Sequence, residues 1–149
     1  MPSSDPRRAA KAVLSALPVI MRTVGRSMRE SGSEIYPQQH RILTMLTRKP
    51  RTLSEIARIQ GVRPATATTM VTTLEHRGFV RRDADPDDRR RVVVSMTEVG
   101  HTAFDAAQEV AERALAELLA PLGPEELASL AKGSDAVRRL GSSESTTRP

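Results

Sequence analysis

The sequence contains no cysteine and no tryptophan, and its three aromatic residues are Tyr36, Phe79 and Phe104. The absence of cysteine excludes disulfides, iron–sulfur clusters, thiolate zinc sites and thiol-based redox sensing within this chain. The shortage of aromatic residues argues against a protein that binds RNA or single-stranded DNA, because such proteins usually stack bases on aromatic rings. Any nucleic acid bound by this chain is therefore expected to be duplex DNA.

Long apolar runs and catalytic motifs are also missing. No apolar run approaches the ~18 residues of a membrane span, and the apolar residues near the N-terminus are spaced rather than contiguous, unlike those of a signal peptide. We therefore expect a cytoplasmic protein with no membrane partner. No glycine-rich phosphate loop or nucleophile–base constellation is evident, so we expect neither an enzyme nor a cofactor. His40, His76 and His101 are widely separated and have no carboxylate at ligand spacing, which argues against a metal site.

Basic residues are concentrated in the middle of the sequence. The 149 residues carry a net charge of +5, but positions 41–91 hold eleven arginines and one lysine against six acidic residues. Positions 97–140 hold four basic residues against eight acidic ones. A basic segment between less basic flanks is typical of a phosphate-binding module, although an arginine-rich chain with merely solvated side chains would have the same composition. Arginine suits bidentate contacts to phosphate or guanine better than lysine does.

The first third of the sequence predicts two helices. Asp5-Pro6 is suited to the N-cap and the first helical position, and apolar residues then recur at helical spacing. Pro18 interrupts this stripe, so we expect either a bend near residues 14–18 or two abutting helices. Gly32 ends the element, and Pro37 begins a second helix. The side chains of the second helix that should face inward are Ile42, Leu43 and Leu46.

Residues 52–78 predict a helix-turn-helix. Thr52 and Glu55 form a capping box at the start of one helix, and Gly61 is well placed to end it. Pro64 begins the next helix at its first position. The exposed side of that helix is rich in threonine, a poor helix former, so function explains these residues better than local stability does. The apolar residues expected to be buried are Leu53, Ile56 and Ile59 in the first helix, and Ala67, Met70, Val71 and Leu74 in the second.

The second helix of a helix-turn-helix can enter the major groove of DNA, where its N-terminal residues meet base edges. Small side chains allow close approach, a threonine hydroxyl can bond a phosphate or a base, and a methyl group can contact the thymine methyl. Arginines at the ends of the two helices lie where phosphates would pass. A solvated, threonine-rich face is the alternative. The predicted DNA-binding residues of this segment are Arg58, Arg63, Ala65, Thr66, Thr68, Thr69, Thr72 and Arg77.

Two strand-like segments follow, joined by a polar turn at residues 83–88. Phe79-Val80 begins the first segment, and in the second Val92, Val94 and Met96 alternate with other residues at strand spacing. The hairpin would carry Arg89 and Arg90 at its tip, where an arginine can enter the minor groove and sense its width and negative potential. We expect Asp88 to pair with Arg90 and fix its direction. A charged turn kept soluble by mixed signs is the alternative.

Amphipathic helices flank this module on both sides. Thr97 caps a long helix, and Gly123-Pro124 opens a last one. Their apolar faces have too little neighbouring mass to be covered within one chain, which predicts a homodimer; the alternative is that the terminal helices pack only on one another. We therefore assign residues 1–35 and 97–140 to dimerisation, residues 36–96 to DNA binding, and residues 141–149 to a disordered tail. The predicted seam of the long helix is Ala103, Ala107, Val110, Ala114 and Leu118.

As a set, these motifs resemble the MarR family of transcriptional regulators, over about residues 35–105. The resemblance implies a mainly α (α+β) fold, a winged helix-turn-helix with flanking N- and C-terminal dimerisation helices. It also implies a sequence-specific, homodimeric repressor that a small aromatic or lipophilic ligand releases from a pseudo-palindromic operator, and it matches the Asp-x-Arg of the family wing to Asp88 and Arg90. The motifs are Leu53-Ser54-Glu55-Ile56-Ala57, Leu74-Glu75-x-x-Gly78-Phe79-Val80, Asp85-Pro86-x-Asp88-Arg89-Arg90 and Ser95-Met96-Thr97-x-x-Gly100.

The sequence departs from the family pattern in the second helix of the predicted helix-turn-helix. Arg63-Pro64 stands where the family often has a capping serine, and Thr69 stands where it often has an arginine. Direct guanine recognition by this helix is therefore expected to be limited. No motif marks a ligand pocket; Tyr36 and His40, one helical turn apart, could line one or could form a structural contact. A winged helix used only for protein–protein contact and a DNA-binding protein without ligand response are the alternative functions.

Overall fold

The computed structural model of the protein describes residues 5–143. None of the helices in this range is long and apolar enough to cross a membrane. The chain divides into two units, one ending at Leu115 and the other beginning at Ala116. The elements are α1 (Pro6–Glu30), α2 (Pro37–Leu46), β1 (Arg51–Thr52), α3 (Leu53–Gln60), α4 (Pro64–His76), β2 (Val80–Ala84), β3 (Val92–Met96), α5 (Glu98–Leu119) and α6 (Pro124–Ser143).

Helix α1 begins where the sequence predicted. The carboxylate of Asp5 accepts a hydrogen bond of 3.0 Å from the amide of Arg7, and Pro6 occupies the first turn. The helix runs for 25 residues and continues through Pro18, so the alternative of two abutting helices was wrong, while a bend stays a prediction. Proline removes one backbone hydrogen bond of the helix. The hydrogen bonds of the other turns are enough to keep so long a helix continuous. Only its C-terminal part enters the core of the first unit, through Met28.

The core of the first unit lies where α2, α3 and α4 meet the sheet and part of α5. The predicted inward face of α2 is buried, as are Ile56 of α3 and Ala67, Val71 and Leu74 of α4. Leu53 and Met70, which were also expected to be buried, are half-buried and pack against the core. Ile59 is an exception, because 41% of it is exposed. Since α3 has only eight residues, one face is enough to anchor it. The buried cluster comprises Met28, Ile35, Ile42, Leu43, Leu46, Ile56, Ala57, Ala67, Val71, Leu74, Phe79, Val80, Val94, Phe104, Ala107 and Ala111.

The sheet has three antiparallel strands in the order β1-β3-β2. Strands β2 and β3 form the predicted hairpin, with Val80 opposite Met96 and Ala84 opposite Val92. Strand β1 was not predicted, because it has two residues and exists only through its pairing with β3. The expected alternation also fails in β3, where adjacent Val93 and Val94 are both buried and Val92 is exposed.

Helix α5 is capped as predicted, since the hydroxyl of Thr97 accepts a hydrogen bond of 3.0 Å from the amide of Gly100. Its buried side differs from the predicted seam: Gly100, Phe104, Ala107 and Ala111 are buried, and Ala107 is the residue common to both sets. Phe104 is the largest of these residues, and its burial places this side of α5 against the core.

In the second unit, helix α6 begins at Pro124 as expected, and the amide of Gly123 donates to the carboxylate of Glu126 over 2.9 Å. The helix continues to Ser143, three residues into the predicted tail; residues 144–149 lie outside the described part of the chain. Its large apolar side chains are left uncovered, with exposed fractions between 40% and 69%. These side chains are Leu127, Leu130, Val137 and Leu140.

Candidate DNA-binding surface

The turn between α3 and α4 has the geometry that a helix-turn-helix requires. The Thr52 hydroxyl accepts from the Glu55 amide over 3.2 Å, and the Glu55 carboxylate accepts from the Thr52 amide over 2.8 Å. These two contacts complete the predicted capping box. At the other end of α3, Gly61 adopts a φ of +66°, the left-handed conformation that glycine adopts most readily. The amide of Val62 then donates to the carbonyl of Ala57 over 3.0 Å, which closes the helix and directs the chain into α4.

Helix α4 presents a face of small side chains. Ala65, Thr66, Thr68 and Thr69 are exposed, while the opposite side of the helix is buried in the core. The Thr68 hydroxyl donates to the Pro64 carbonyl over 3.0 Å, and the Thr69 hydroxyl donates to the Ala65 carbonyl over 3.1 Å. Because each hydroxyl hydrogen is engaged within the helix, the outward-facing groups are oxygen lone pairs and methyl groups.

The three predicted helix-end arginines differ in their surroundings. Arg58 and Arg63 are exposed, and within the described part of the chain neither forms an ion pair. Arg77 is engaged: its guanidinium carbon lies 5.0 Å from the centre of the Phe79 ring, and its Nη1 lies 3.5 Å from the side-chain oxygen of Gln39. A cation–π contact of this kind holds the guanidinium group of Arg77 against the protein at the end of α4.

The wing loop, residues 85–91, is built by backbone contacts of its acidic residues. The amide of Asp85 donates to the carbonyl of Arg91 over 2.9 Å, which closes the loop. The Asp88 carboxylate accepts from the backbone amide of Arg90 over 3.1 Å. We expected Asp88 to hold the Arg90 side chain, but it orders the backbone instead. The guanidinium groups of Arg89 and Arg90 thus stay exposed at the tip.

One residue that connects the wing to α4 was missed from the sequence. Arg82 of β2 contacts the Glu75 carboxylate through Nη1 and donates from Nη2 to the Thr72 hydroxyl over 3.0 Å. Thr72 is therefore half-buried and bonded to Arg82, unlike Thr68 and Thr69. The alternation of side chains along a strand could have identified Arg82 from the sequence. Arg82 lies two residues after buried Val80 and therefore shares its face of the strand.

Arg51 is buried in β1. Its Nη1 lies 3.6 Å from the Glu55 carboxylate, so it supports the capping box rather than contacting solvent. Burial by itself raises the pKa of Glu55, but hydrogen bonds from Thr52 and the charges of Arg51 and Lys49 outweigh it, and the net pKa is lowered. Glu55 therefore stays ionised and keeps the start of α3 capped.

A cavity of about 520 Å³ lies in the first unit beside α5. Its walls are residues 31–34, which connect α1 to α2, the ring of Phe79, and the face of α5 from Val99 to Val110. Most of the lining is apolar, and Glu34 is its charged residue. A volume of this size suits a small organic molecule.

Tyr36 and His40 are not among the residues that line this cavity. Tyr36 is 60% exposed, whereas the ring of His40 stacks on Phe104 with 4.8 Å between ring centres. Its Nε2 lies 2.9 Å from the side-chain oxygen of Gln108. Burial lowers the pKa of His40, and the hydrogen bond to Gln108 opposes that effect. His40 therefore makes the structural contact that was the alternative to pocket lining.

Comparison with known proteins identifies this arrangement. A model of the MarR family matches residues 35–92, which include each predicted DNA-binding residue. The chain is 33% identical to the HTH-type transcriptional regulator Mb0904 of Mycobacterium bovis over 113 residues, which span 75% of this chain and 79% of that protein. The chain belongs to the MarR family. This MarR-family regulator is also 35% identical over 72 residues to YwaE of Bacillus subtilis, across 48% of this chain and 42% of YwaE.

Solved structures of the MarR family have the same fold. Apo MarR from Escherichia coli superimposes with a TM-score of 0.73 at 22% identity, across 86% of this chain and 95% of MarR. CouR from Rhodococcus jostii RHA1, in a structure bound to p-coumaroyl-CoA, superimposes with a TM-score of 0.66 at 20% identity, across 91% and 95% of the two chains. The predicted winged helix-turn-helix with flanking helices is thereby confirmed, as is the function of a DNA-binding transcriptional regulator.

Proposed function

We propose that this regulator is a homodimeric repressor that binds a pseudo-palindromic operator, with α4 in the major groove and the wing in the adjacent minor groove. The observation that carries the proposal is the exposed face of α4, whose small side chains lie in a segment with exposed arginines at Arg58, Arg63, Arg89 and Arg90. In this arrangement the arginines neutralise phosphates or enter the minor groove. The short side chains of α4 allow the helix to approach the base edges.

The bonding of the threonines indicates which base pairs α4 prefers. With their hydrogens engaged by Pro64 and Ala65, Thr68 and Thr69 face outward as acceptors with methyl groups. Both kinds of base pair offer a donor in the major groove, adenine N6 or cytosine N4, but only the A·T pair adds a methyl group, that of thymine, which the threonine methyl groups can contact. We therefore propose A·T pairs beneath the first turns of α4, with Ala65 and Thr66 packing against the same groove.

Dimerisation is proposed from the exposed apolar residues of the terminal helices. Helix α1 exposes an apolar stripe along one side, and α6 exposes large apolar side chains of its own. Side chains of this kind at such density favour association with a second copy of the chain. Two copies would present two α4 helices to half-sites about one helical turn apart, as a symmetric operator requires. The stripe of α1 consists of Val13, Leu14, Leu17 and Met21, whereas Val19, which is also exposed, lies on another side of the helix.

Arg90→Ala should weaken binding to every duplex and lower the slope of log affinity against log salt by about one contact. The reason is that Arg90 is exposed at the wing tip and meets DNA without base selectivity. Thr69→Val should leave that slope unchanged and alter the ranking of sequences, because it removes an acceptor while keeping the shape. Fluorescence anisotropy with labelled duplexes across a salt series measures both effects.

Arg26→Ala is the matched control, because Arg26 is an exposed arginine of α1 that is paired with Glu30. It should change neither the affinity nor the salt slope. If Arg90→Ala behaves like this control, the wing does not contact DNA. Binding that is insensitive to salt, or absent from every duplex tested, would instead favour a winged helix used for protein–protein contact.

We also propose that a small aromatic or lipophilic effector occupies the cavity beside α5. The support is its mostly apolar wall and its position against Phe79 and Val99, where α5 meets the turn between α4 and β2. A molecule bound there would move α5 relative to that turn and so change the spacing of the two DNA-binding modules. A ligand shifts the equilibrium between two arrangements of the protein only by the difference between its affinities for them.

The neutral aromatic 2-naphthol serves as a probe for this cavity. We expect it to raise the melting temperature of the protein and to weaken DNA binding. Ala106→Phe, which places a large ring in the cavity, should abolish both responses to the probe. Differential scanning fluorimetry and the anisotropy assay check this. Responses that persist unchanged in Ala106→Phe would place the effector elsewhere.

A further inference from the structure

We propose that Arg82 is a positioning residue for DNA recognition, which fixes the wing to α4 and thereby sets the orientation of the two DNA-binding elements. The inference rests on the proposed placement of α4 and the wing on DNA, and it assigns Arg82 no contact with DNA itself. Arg82, Glu75 and Thr72 form what we call the Arg82 clamp.

The geometry of the clamp is a fork that spans one turn of helix. Arg82 is the central residue of β2 and lies opposite Val94 of β3. Its two terminal nitrogens contact separate residues of α4: Nη1 contacts the Glu75 carboxylate, and Nη2 donates to the Thr72 hydroxyl over 3.0 Å. Residues three apart lie on the same face of a helix. One guanidinium therefore holds α4 at two points, which restrains both the distance between the elements and their rotation.

The side chains of the clamp are partly shielded from water. The exposed fraction is 26% for the Arg82 side chain and 31% for that of Glu75. The other ion pair of β2, between Arg81 and Asp83, has exposed fractions of 67% and 46% and stays within the wing. Shielding makes a charge-assisted contact stronger and its geometry better defined. The two neighbouring arginines thus share a strand and a charge, but only Arg82 reaches α4.

The connection between the elements explains why such a restraint is needed. Three residues, 77–79, join the end of α4 to the start of β2, and Gly78 among them has a φ of +74°. Val80 and Val94 anchor the base of the wing in the core. At the level of Arg82, which pairs with Val94, the clamp adds a polar connection from β2 to α4. Loss of the clamp would let the wing tip move relative to the exposed face of α4.

Glu75 provides the decisive variant, because positioning and electrostatics predict opposite results for it. Glu75→Gln removes a negative charge next to a surface that binds phosphates, so a purely electrostatic role predicts tighter DNA binding. If Glu75 instead holds Arg82 and the wing in place, Glu75→Gln should weaken binding to the preferred sequence. Arg82→Met should weaken it more than Arg81→Met does, although each variant removes one positive charge from the same strand.

The experiment uses the full chain and a duplex selected by the wild-type protein from a random-sequence pool, with a scrambled duplex as reference. We expect Glu75→Gln and Arg82→Met each to lower affinity for the selected duplex about tenfold, with little effect on the scrambled duplex and an unchanged salt slope. Arg82→Lys should not rescue, because an ammonium lacks the planar fork. The double variant, Glu75→Gln with Arg82→Met, should bind the selected duplex no more weakly than the weaker-binding of the two single variants, because the two partners act as a unit.

Thr72→Val keeps the inference testable if the variants of the ion pair fold poorly, because it removes one acceptor at constant size. It should weaken the selected complex several-fold, by less than Arg82→Met, while thermal unfolding monitored by circular dichroism stays near that of the wild type. Tighter binding by Glu75→Gln, or equal losses in Arg81→Met and Arg82→Met, would overturn the inference. A salt slope lowered by about one contact in Arg82→Met would make Arg82 a phosphate ligand instead. Failure of the wild type to select any duplex would overturn the proposed function itself.

Discussion

Replacing Leu14 with glutamate should convert the proposed dimer to a monomer without unfolding the chain. Leu14 lies on α1, and 65% of it is exposed within one chain, so the substitution removes little packing from the protomer itself. In a dimer built on the terminal helices, the same position would place an unpaired carboxylate in an apolar interface, which is strongly unfavourable. Size-exclusion chromatography with light scattering measures the change of mass directly.

Loss of the dimer should also weaken operator binding by about a hundredfold or more, because two linked half-site contacts become one. Ser15→Glu is the matched control: it adds the same charge at the next position of α1, which is exposed but lies outside the apolar stripe. That variant should stay dimeric. A monomeric wild type, or a Leu14→Glu variant that stays dimeric, would contradict the assignment of α1 to the interface.

Among glycine-to-alanine substitutions in this chain, Gly100→Ala should cause the largest loss of stability. A Cβ at position 100 would lie 2.0 Å from the backbone oxygen of Phe79 and 2.8 Å from Cγ of Met96. The first of these neighbours is backbone and cannot rotate away, so α5 must move off the turn between α4 and β2. That shift would strain the hydrogen bond of 3.0 Å from the Thr97 amide to the Phe79 carbonyl.

We expect Gly100→Ala to lower the free energy of unfolding by about 3 kcal/mol and the melting temperature by about 10 °C. Gly133→Ala is the control, because Gly133 lies inside α6 and an added Cβ meets nothing within 4 Å. There the substitution should stabilise by about 1 kcal/mol through helix propensity alone. Chemical denaturation followed by circular dichroism measures both variants. Equal stability of Gly100→Ala and the wild type would mean that α5 does not approach the turn so closely.

The predictions that succeeded rest on interactions between residues close in sequence. The capping box of Thr52 and Glu55, the left-handed Gly61 and the helix start at Pro64 each involve atoms within about one helical turn, so a short segment is enough to specify them. The same holds for the Thr97 cap of α5. Together these signals were enough to place the helix-turn-helix and the hairpin and to indicate the family.

The features that sequence inspection missed depend on residues that are distant along the chain. Strand β1 consists of two residues and needs β3, more than forty positions later, to exist as a strand. The stacking of His40 on Phe104 spans a still longer gap and decides that His40 is structural rather than a pocket residue. Burial of Arg51 follows from the same sheet pairing. No local pattern distinguishes these residues from exposed ones of the same type.

The sequence by itself therefore determined which segments become the helix-turn-helix and the wing, because caps, turn glycines and apolar periodicity act over one or two turns of chain. Only the tertiary structure decided what each polar side chain does once the segments meet. It assigned Thr72 and Arg82 to each other, gave Asp88 to the backbone of the wing loop, and left Thr68 and Thr69 facing outward. The physical reason is that a hydrogen bond depends on distance and direction in space, and the fold sets these between elements that no sequence period relates.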